Sequence, residues 1–215
     1  MKNMQAVVFD VDGTILDTRE FIRQAYEHTL QSFGIPMPEK AFFDSHIGPP
    51  LEECYKIFAP GIPYAELADR HREFQRGHFD LIALYSGVVE MCSALKKNNL
   101  KIAVCSTRSG RLVETLQHAG VKDLINAVVD GSHVTKHKPD PEGILLALQQ
   151  LNVAAADAVF VGDTSVDIQA GKNAEVPVVI GITHGFGTHA ELEAAGADHI
   201  VDNLSEIIPI LTAIR

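Results

Sequence analysis

A chain of 215 residues with 46% hydrophobic and 21% charged side chains has the composition of an ordinary globular protein, long enough to bury a substantial core in one large domain or in a core with a smaller satellite. Its formal net charge of −10, from 18 Lys and Arg against 28 Asp and Glu, gives no basic face for nucleic acid. No run approaches the roughly 18 apolar residues of a spanning helix, and the N-terminus enters a strand without a basic-then-apolar leader, so an unprocessed cytoplasmic protein without a membrane segment is expected. Cys54, Cys92 and Cys105 are far apart and form no Cys-x-x-Cys, which predicts buried thiols in a reducing compartment, not disulfides or a zinc site.

Ala6-Val7-Val8-Phe9 reads as a buried strand that stops abruptly at Asp10-Val11-Asp12-Gly13-Thr14, a pair of carboxylates followed by a turn-forming Asp-Gly. Asp17-Thr18-Arg19-Glu20 reads as a capping box with Asp17 as N-cap, opening a helix to about Ser32 that Gly34 closes. Phe21, Ala25, Thr29 and Phe33 share its buried face, beside Ile22 and Tyr26. From Pro36 to Leu84 no strand is expected; helical stretches at Pro38–Asp44, Leu51–Phe58 and Tyr64–Phe79 are separated by Gly and Pro. This stretch is a helical insert. Ser86 then caps a helix to about Lys97, and Lys101–Ser106 reads as a second buried strand. Helix 111–119, strand 127–129, a helix from Pro141 with Asp140 as N-cap to about Leu151, strand 158–161, helix 166–173, strand 177–182, a Thr188-x-x-Glu191 capping box and strand 199–201 follow. Alternation at this spacing predicts an α/β fold, a parallel sheet covered by helices on both faces.

In such a sheet, ligands bind outside the carboxyl ends of the strands. Four strand ends carry reactive groups. The first offers Asp10 and Asp12. The second offers Ser106-Thr107, where a hydroxyl and backbone N–H groups can grip phosphate oxygens or simply cap a helix. The third is followed by Lys138 in a stiff Lys-Pro-Asp-Pro segment, either a directed charge or a solvated surface lysine. The fourth gives Gly162-Asp163-Thr164-Ser165-Val166-Asp167, whose carboxylates share a face if the helix begins at once, and which also suit a helix dipole. Each is equivocal alone, and all converge on one sheet edge.

Taken together these segments resemble the haloacid dehalogenase superfamily in its phosphatase branch. Asp10-Val11-Asp12-Gly13-Thr14 matches the first motif of that family, Ser106 the second, Lys138 the third and Gly162 to Asp167 the fourth, in the family's order and over essentially the whole chain. The tail from Gly181-Ile182-Thr183-His184-Gly185 to Ala197-Asp198-His199-Ile200-Val201 is similar to the phosphoglycolate phosphatase and PpaX-like pyrophosphatase subgroup. The resemblance implies a Rossmann-like catalytic core over 1–17 and 85–215 with an inserted helical C1 cap at 18–84.

It also implies chemistry. Asp10 would be the nucleophile that forms an aspartyl-phosphate, and Asp12 would protonate the leaving oxygen and later take a proton from water. Ser106, Thr107, Lys138 and the backbone of Val11 would hold phosphoryl oxygens. Mg²⁺ would be bound by Asp10, Asp12 through its carbonyl, and Asp163, with Asp167 in the first or the second shell. Four carboxylates and a phosphate dianion total about −6, and near neighbours repel by roughly 4 kcal/mol per pair at 4 Å and an effective dielectric of 20. Mg²⁺ and Lys138 offset part of this, and a proton on Asp12 is expected to offset more.

The implied function is hydrolysis of a small, phosphoglycolate-like phosphomonoester, with pyrophosphate hydrolysis or β-phosphoglucomutase-like phosphotransfer as alternatives. The cap loop Ser45-His46-Ile47-Gly48-Pro49-Pro50 lacks the Arg of the sugar-phosphate mutases, and no lysine stands where a phosphonoacetaldehyde hydrolase needs one; His46 and Arg19 are candidate specificity residues, His46 being equally readable as a helix-terminal residue that packs under the loop. A metal-free dehalogenase would lack Asp12. A receiver-like phosphoacceptor would put its acidic pair and its acceptor on different strands. The partner implied is a small phosphorylated metabolite, handled by a monomer or a homodimer.

Overall fold

The computed structural model describes residues 4–213. In chain order the elements are β1 (Ala6–Phe9), β2 (Leu16–Asp17), α1 (Arg19–Ser32), α2 (Lys40–Asp44), α3 (Leu51–Phe58), α4 (Tyr64–Gly77), β3 (Ala83–Leu84), α5 (Val88–Lys97), β4 (Lys101–Cys105), α6 (Leu112–His118), β5 (Ala127–Val129), α7 (Glu142–Leu151), β6 (Ala158–Gly162), α8 (Ser165–Asn173), β7 (Val178–Ile182), α9 (His189–Ala194), β8 (His199–Val201) and α10 (Ile207–Ala213). The chain divides into two compact units, one of Thr18–Ala83 and one of the segments on either side of it.

The larger unit is built on a six-stranded sheet in the order β5-β4-β1-β6-β7-β8, with every pairing parallel. Strands β1, β6 and β7 are buried along their whole length, which is why they read as continuous Val- and Ile-rich runs without alternation. This strand order reverses direction at β1, the topological switch point of a doubly wound sheet. Phe9 is level with Val104 on β4 and Val161 on β6, so the three strands end together and the residues after them meet in one crevice.

One face of the sheet packs Ala6, Val8, Ala103, Cys105 and Phe160 against Ile144, Ala147 and Leu148 of α7 and Ile168 of α8. Cys54, Cys92 and Cys105 are buried free thiols, as expected. Among the described residues no helix is long and apolar enough to cross a membrane.

The smaller unit consists of α1 to α4 and a short 3-10 turn. Phe21, Ala25, Tyr26, Thr29 and Leu30 form the buried stripe of α1, and Tyr26 meets Phe43 and Phe58 edge-on at 5.3 and 5.5 Å. At its centre Tyr55 Oη and His71 Nδ1 share a hydrogen bond of 2.8 Å.

Several helix starts differ from expectation. Thr18, not Asp17, is the N-cap of α1, because the Glu20 carboxylate is taken by Arg23 at 2.8 Å and Gln24 at 2.6 Å and does not return to the cap. Helix α5 starts from Gly87 with φ 87°, one residue past Ser86. Helix α7 starts at Glu142, and Asp140 accepts the Glu142 N–H at 3.0 Å from one residue further out than expected. Three short features were not anticipated: β2 ends on the Asp17 expected to cap a helix, β3 lies in a stretch expected to hold no strand, and α10 follows what was read as the last element.

Candidate active site

The loop after β1 is wound on itself: the Val11 carbonyl accepts the N–H groups of Ile15 and Leu16 at 3.0 and 2.9 Å. This winding leaves Asp10 in line with the strand, 6% exposed, and puts Asp12 at the rim. Gly13 makes the turn with φ 89°, in the left-handed region where a side chain is strained, and a Cβ there would overlap Asp163.

Asp163, fully buried, follows β6. Its Oδ1 accepts the Thr14 hydroxyl and its Oδ2 the Phe186 N–H, both at 2.8 Å. Helix α8 opens with a capping box: Thr164 Oγ1 accepts the Asp167 N–H at 3.3 Å, while Asp167 Oδ2 accepts the Thr164 N–H at 3.1 Å and its hydroxyl at 2.5 Å. Asp163 and Asp167 therefore belong to one site although Asp163 precedes the helix. A Cβ at Gly162 would overlap the Asp167 side chain, and this close approach is why glycine ends β6.

Lys138 lies buried between two carboxylates. Its ammonium donates to Asp10 Oδ1 and, at 2.7 Å, to Asp167 Oδ1. The loop after β5 thus sends its lysine into the site, which excludes the reading of a solvated surface residue. Ser106 is also buried and donates to Asp12 Oδ2 at 3.3 Å. Thr107 follows it on the same strand-end turn.

Burial pushes the Asp10 carboxyl well above its ordinary range; Lys138 opposes this, and the neighbouring Asp167, Asp163 and Asp12 add to it. Burial, with Asp167, pushes Asp163 up to about 7, against the hydrogen bonds from Phe186 and Thr14. Burial alone would lower the Lys138 ammonium, but Asp10 and Asp167 outweigh it and hold the proton firmly. The motif count anticipated the crowding of acids, but it placed the offsetting proton on Asp12, which is ion-paired with Arg108; the carboxyls that burial pushes up are Asp10 and Asp163.

Asp10, Asp163 and Asp167 each offer a carboxylate oxygen within 4.8 Å of the others. An all-oxygen, anionic, buried donor set of this kind suits a hard divalent cation such as Mg²⁺ and not a soft metal.

The motifs assigned no role to four contributors. Arg108 Nη2 ion-pairs with Asp12 Oδ1, adding a cation to the charge count. The Thr14 hydroxyl and the Phe186 N–H hold Asp163 from opposite segments. His184 donates from Nε2 to the Thr14 carbonyl at 3.0 Å and stacks on Tyr85 with centroids 3.8 Å apart, and burial lowers its pKa. A basic residue two places after Ser106 was the available signal for Arg108.

The candidate specificity residues lie in the smaller unit. His46 stacks on Phe42 at 4.2 Å, and its Nδ1 donates to the Phe42 carbonyl at 2.8 Å, a local packing role at the end of α2. Arg19 is exposed at the first turn of α1.

A doubly wound parallel sheet with clustered carboxylates, a lysine and a hydroxyl at its switch point defines an α/β protein with a cation- and anion-binding site at its strand ends. Residues 7–180 match the haloacid dehalogenase-like hydrolase family. The chain is 32% identical over 211 residues to pyrophosphatase PpaX of Listeria innocua, covering 95% of each, and 31% identical over 215 residues to pyrophosphatase PpaX of Bacillus mycoides, covering 99% of each. A crystal structure described as a predicted phosphatase from Clostridium acetobutylicum matches with a TM-score of 0.85 and 26% identity, over 98% of this chain and 99% of that one. The chain belongs to the haloacid dehalogenase-like hydrolase family, and its relatives place it with the phosphatases.

Proposed function

We propose that the protein is an Mg²⁺-dependent phosphatase that hydrolyses a small phosphorylated metabolite, of the phosphoglycolate type, through an aspartyl-phosphate on Asp10. The observation that carries this reading is the buried cluster of Asp10, Lys138, Asp163 and Asp167 at the switch point, with Asp12 and Ser106 beside it. An Asp10 oxygen attacks phosphorus, the bond to the leaving oxygen breaks, and Asp12 gives that oxygen its proton. Water then attacks the acyl phosphate, Asp12 takes the water's proton, and Asp10 is released. Lys138, Ser106 and the N–H groups of Val11 and Thr107 hold the phosphoryl oxygens as charge shifts among them.

Mg²⁺, when bound, supplies positive charge to the transferring phosphoryl group. Asp10, Asp163 and the Asp12 carbonyl would hold it. Asp167 Oδ1 accepts from the Lys138 ammonium, a cation already at that carboxylate, which favours a role in positioning the lysine.

A second reading, hydrolysis of inorganic pyrophosphate, is favoured by the full-length relatives named pyrophosphatase PpaX. The test is phosphate release from 2-phosphoglycolate, pyrophosphate, β-glucose 1-phosphate and p-nitrophenyl phosphate, with Mg²⁺ and with EDTA, beside Asp10→Asn. Turnover that EDTA and the variant both abolish is expected. Turnover that survives Asp10→Asn would overturn the nucleophile assignment.

A further inference from the structure

Asp12, to which the proposed chemistry assigns the leaving oxygen, has both of its own oxygens engaged by the loop after β4. Arg108 Nη2 ion-pairs with Oδ1, and Ser106 Oγ donates to Oδ2 at 3.3 Å. The arginine backbone is fixed: its N–H donates to Ser106 Oγ at 3.1 Å, and its carbonyl accepts the Gly131 N–H at 2.8 Å. Its Nη1 donates to Thr115 Oγ1 at 3.3 Å, and its side chain is 13% exposed. Lys138 is committed to Asp10 and Asp167, so the second cation of the cluster stands on the acid that faces the leaving group.

A leaving group that reaches Asp12 must enter beside this ion pair. A neutral group would part the guanidinium from its carboxylate and return nothing, which strands a poorly hydrated charge. A carboxylate or phosphate gives the planar fork a second anion that it can grip with two parallel hydrogen bonds. We propose that Arg108 binds a second anionic group of the substrate, carried on the leaving group a few bonds from the bridging oxygen. The site then selects compounds whose leaving group is itself an anion, a carboxylate or a phosphate. This rests on the phosphatase reading and adds the charge of the leaving group to it. Discrimination thus begins in the sheet unit, from a loop that already carries Ser106, and not solely in the helical insert.

The full-length enzyme and its Arg108→Gln and Arg108→Lys variants would be assayed with Mg²⁺ on 2-phosphoglycolate, pyrophosphate and two substrates with uncharged leaving-group bodies, ethyl phosphate and p-nitrophenyl phosphate. For the better anionic substrate, Arg108→Gln should lower kcat/KM about ten- to hundredfold more than for the uncharged pair, chiefly through KM, with partial recovery in Arg108→Lys. The two anionic arms tell a carboxylate from a phosphate. An equal loss on all substrates, as from a residue that merely positions Asp12, would overturn the proposal, as would a wild type that prefers the uncharged pair. No phosphate release from any of them would instead count against the phosphatase reading. Binding still decides in that case: calorimetric titration of Asp10→Asn and Asp10→Asn/Arg108→Gln with 2-phosphoglycolate and pyrophosphate should show at least about tenfold weaker binding in the double variant. Equal affinities would overturn the inference.

Discussion

Lys138 is held at 8% exposure against Asp10 and Asp167, and the consequence of removing it follows from what would remain. Two buried carboxylates would face each other with Asp163 close by, at a cost that greatly exceeds the net worth of the ion pairs themselves. Lys138→Met is therefore expected to lower stability by about 3–5 kcal/mol at pH 7.5 in EDTA, measured by urea denaturation. The deficit should shrink at pH 5.5, where carboxyls already pushed up by burial can take protons in place of the ammonium. A deficit that does not depend on pH would mean that lost packing around the lysine stem dominates.

At the scale of elements, the turn from β6 into α8 and the loop after β7 act as one clamp on Asp163. A Cβ at Gly185 would overlap both Asp163 Oδ2 and the Gly13 carbonyl, so Gly185→Ala must push the loop away and break the Phe186 N–H bond. Mg²⁺ affinity in calorimetric titration is expected to fall by about ten- to hundredfold, as it does when groups that orient a metal ligand are lost. In Gly162→Ala the new Cβ meets Asp167 within the capping box; overpacking should cost about 1–3 kcal/mol in thermal or urea unfolding. These clamps explain what the sequence could and could not disclose. Helix α3 and strands β5 and β8 have the bounds that periodicity assigned, because apolar patterning and Gly or Pro punctuation are local signals. The acids, Ser106 and Lys138 were legible because the strand ends of a parallel sheet converge whatever lies between them. Arg108 on Asp12 and Thr14 on Asp163 were not legible, since they are long-range pairings that depend on how loops wind. Helix α10 was missed because Ile207-Ile208-Pro209-Ile210 has no polar face to show a period, and Pro209 reads as a breaker.

At the scale of the whole molecule, the strand order places surplus negative charge inside a chain that already carries −10, and stability must then depend on pH and on cations together. Asp163 has a folded-state pKa of about 7 against an ordinary 3.8. Between those values the folded chain keeps a proton that the unfolded chain has released, so stability falls as pH rises through about 7. Asp10, raised by the same burial, contributes with the same sign. Four groups run the other way, His184, Glu20, Glu142 and Glu191, all with pKa values lowered in the fold. Burial lowers His184, so its folded form resists protonation and stability falls as pH drops below the ordinary 6.5. Glu20, held down to about 2 by Arg23, contributes stability that is lost only in stronger acid. The window from pH 6.5 to 8 therefore isolates the carboxylate cluster. In EDTA the Tm should decline across it. A bound divalent cation favours the ionised carboxylates and removes the reason for the decline, since ligands must shed their protons to bind it. The rise in Tm on adding Mg²⁺ should accordingly be larger at pH 8 than at pH 6.5, with proton release on binding visible by calorimetry in buffers of different ionisation enthalpy. An EDTA Tm that stays level across the window, with an Mg²⁺ increment equal at both ends, would mean that Asp163 is ionised in the folded protein throughout and that Lys138 and Arg108 suffice to hold the cluster.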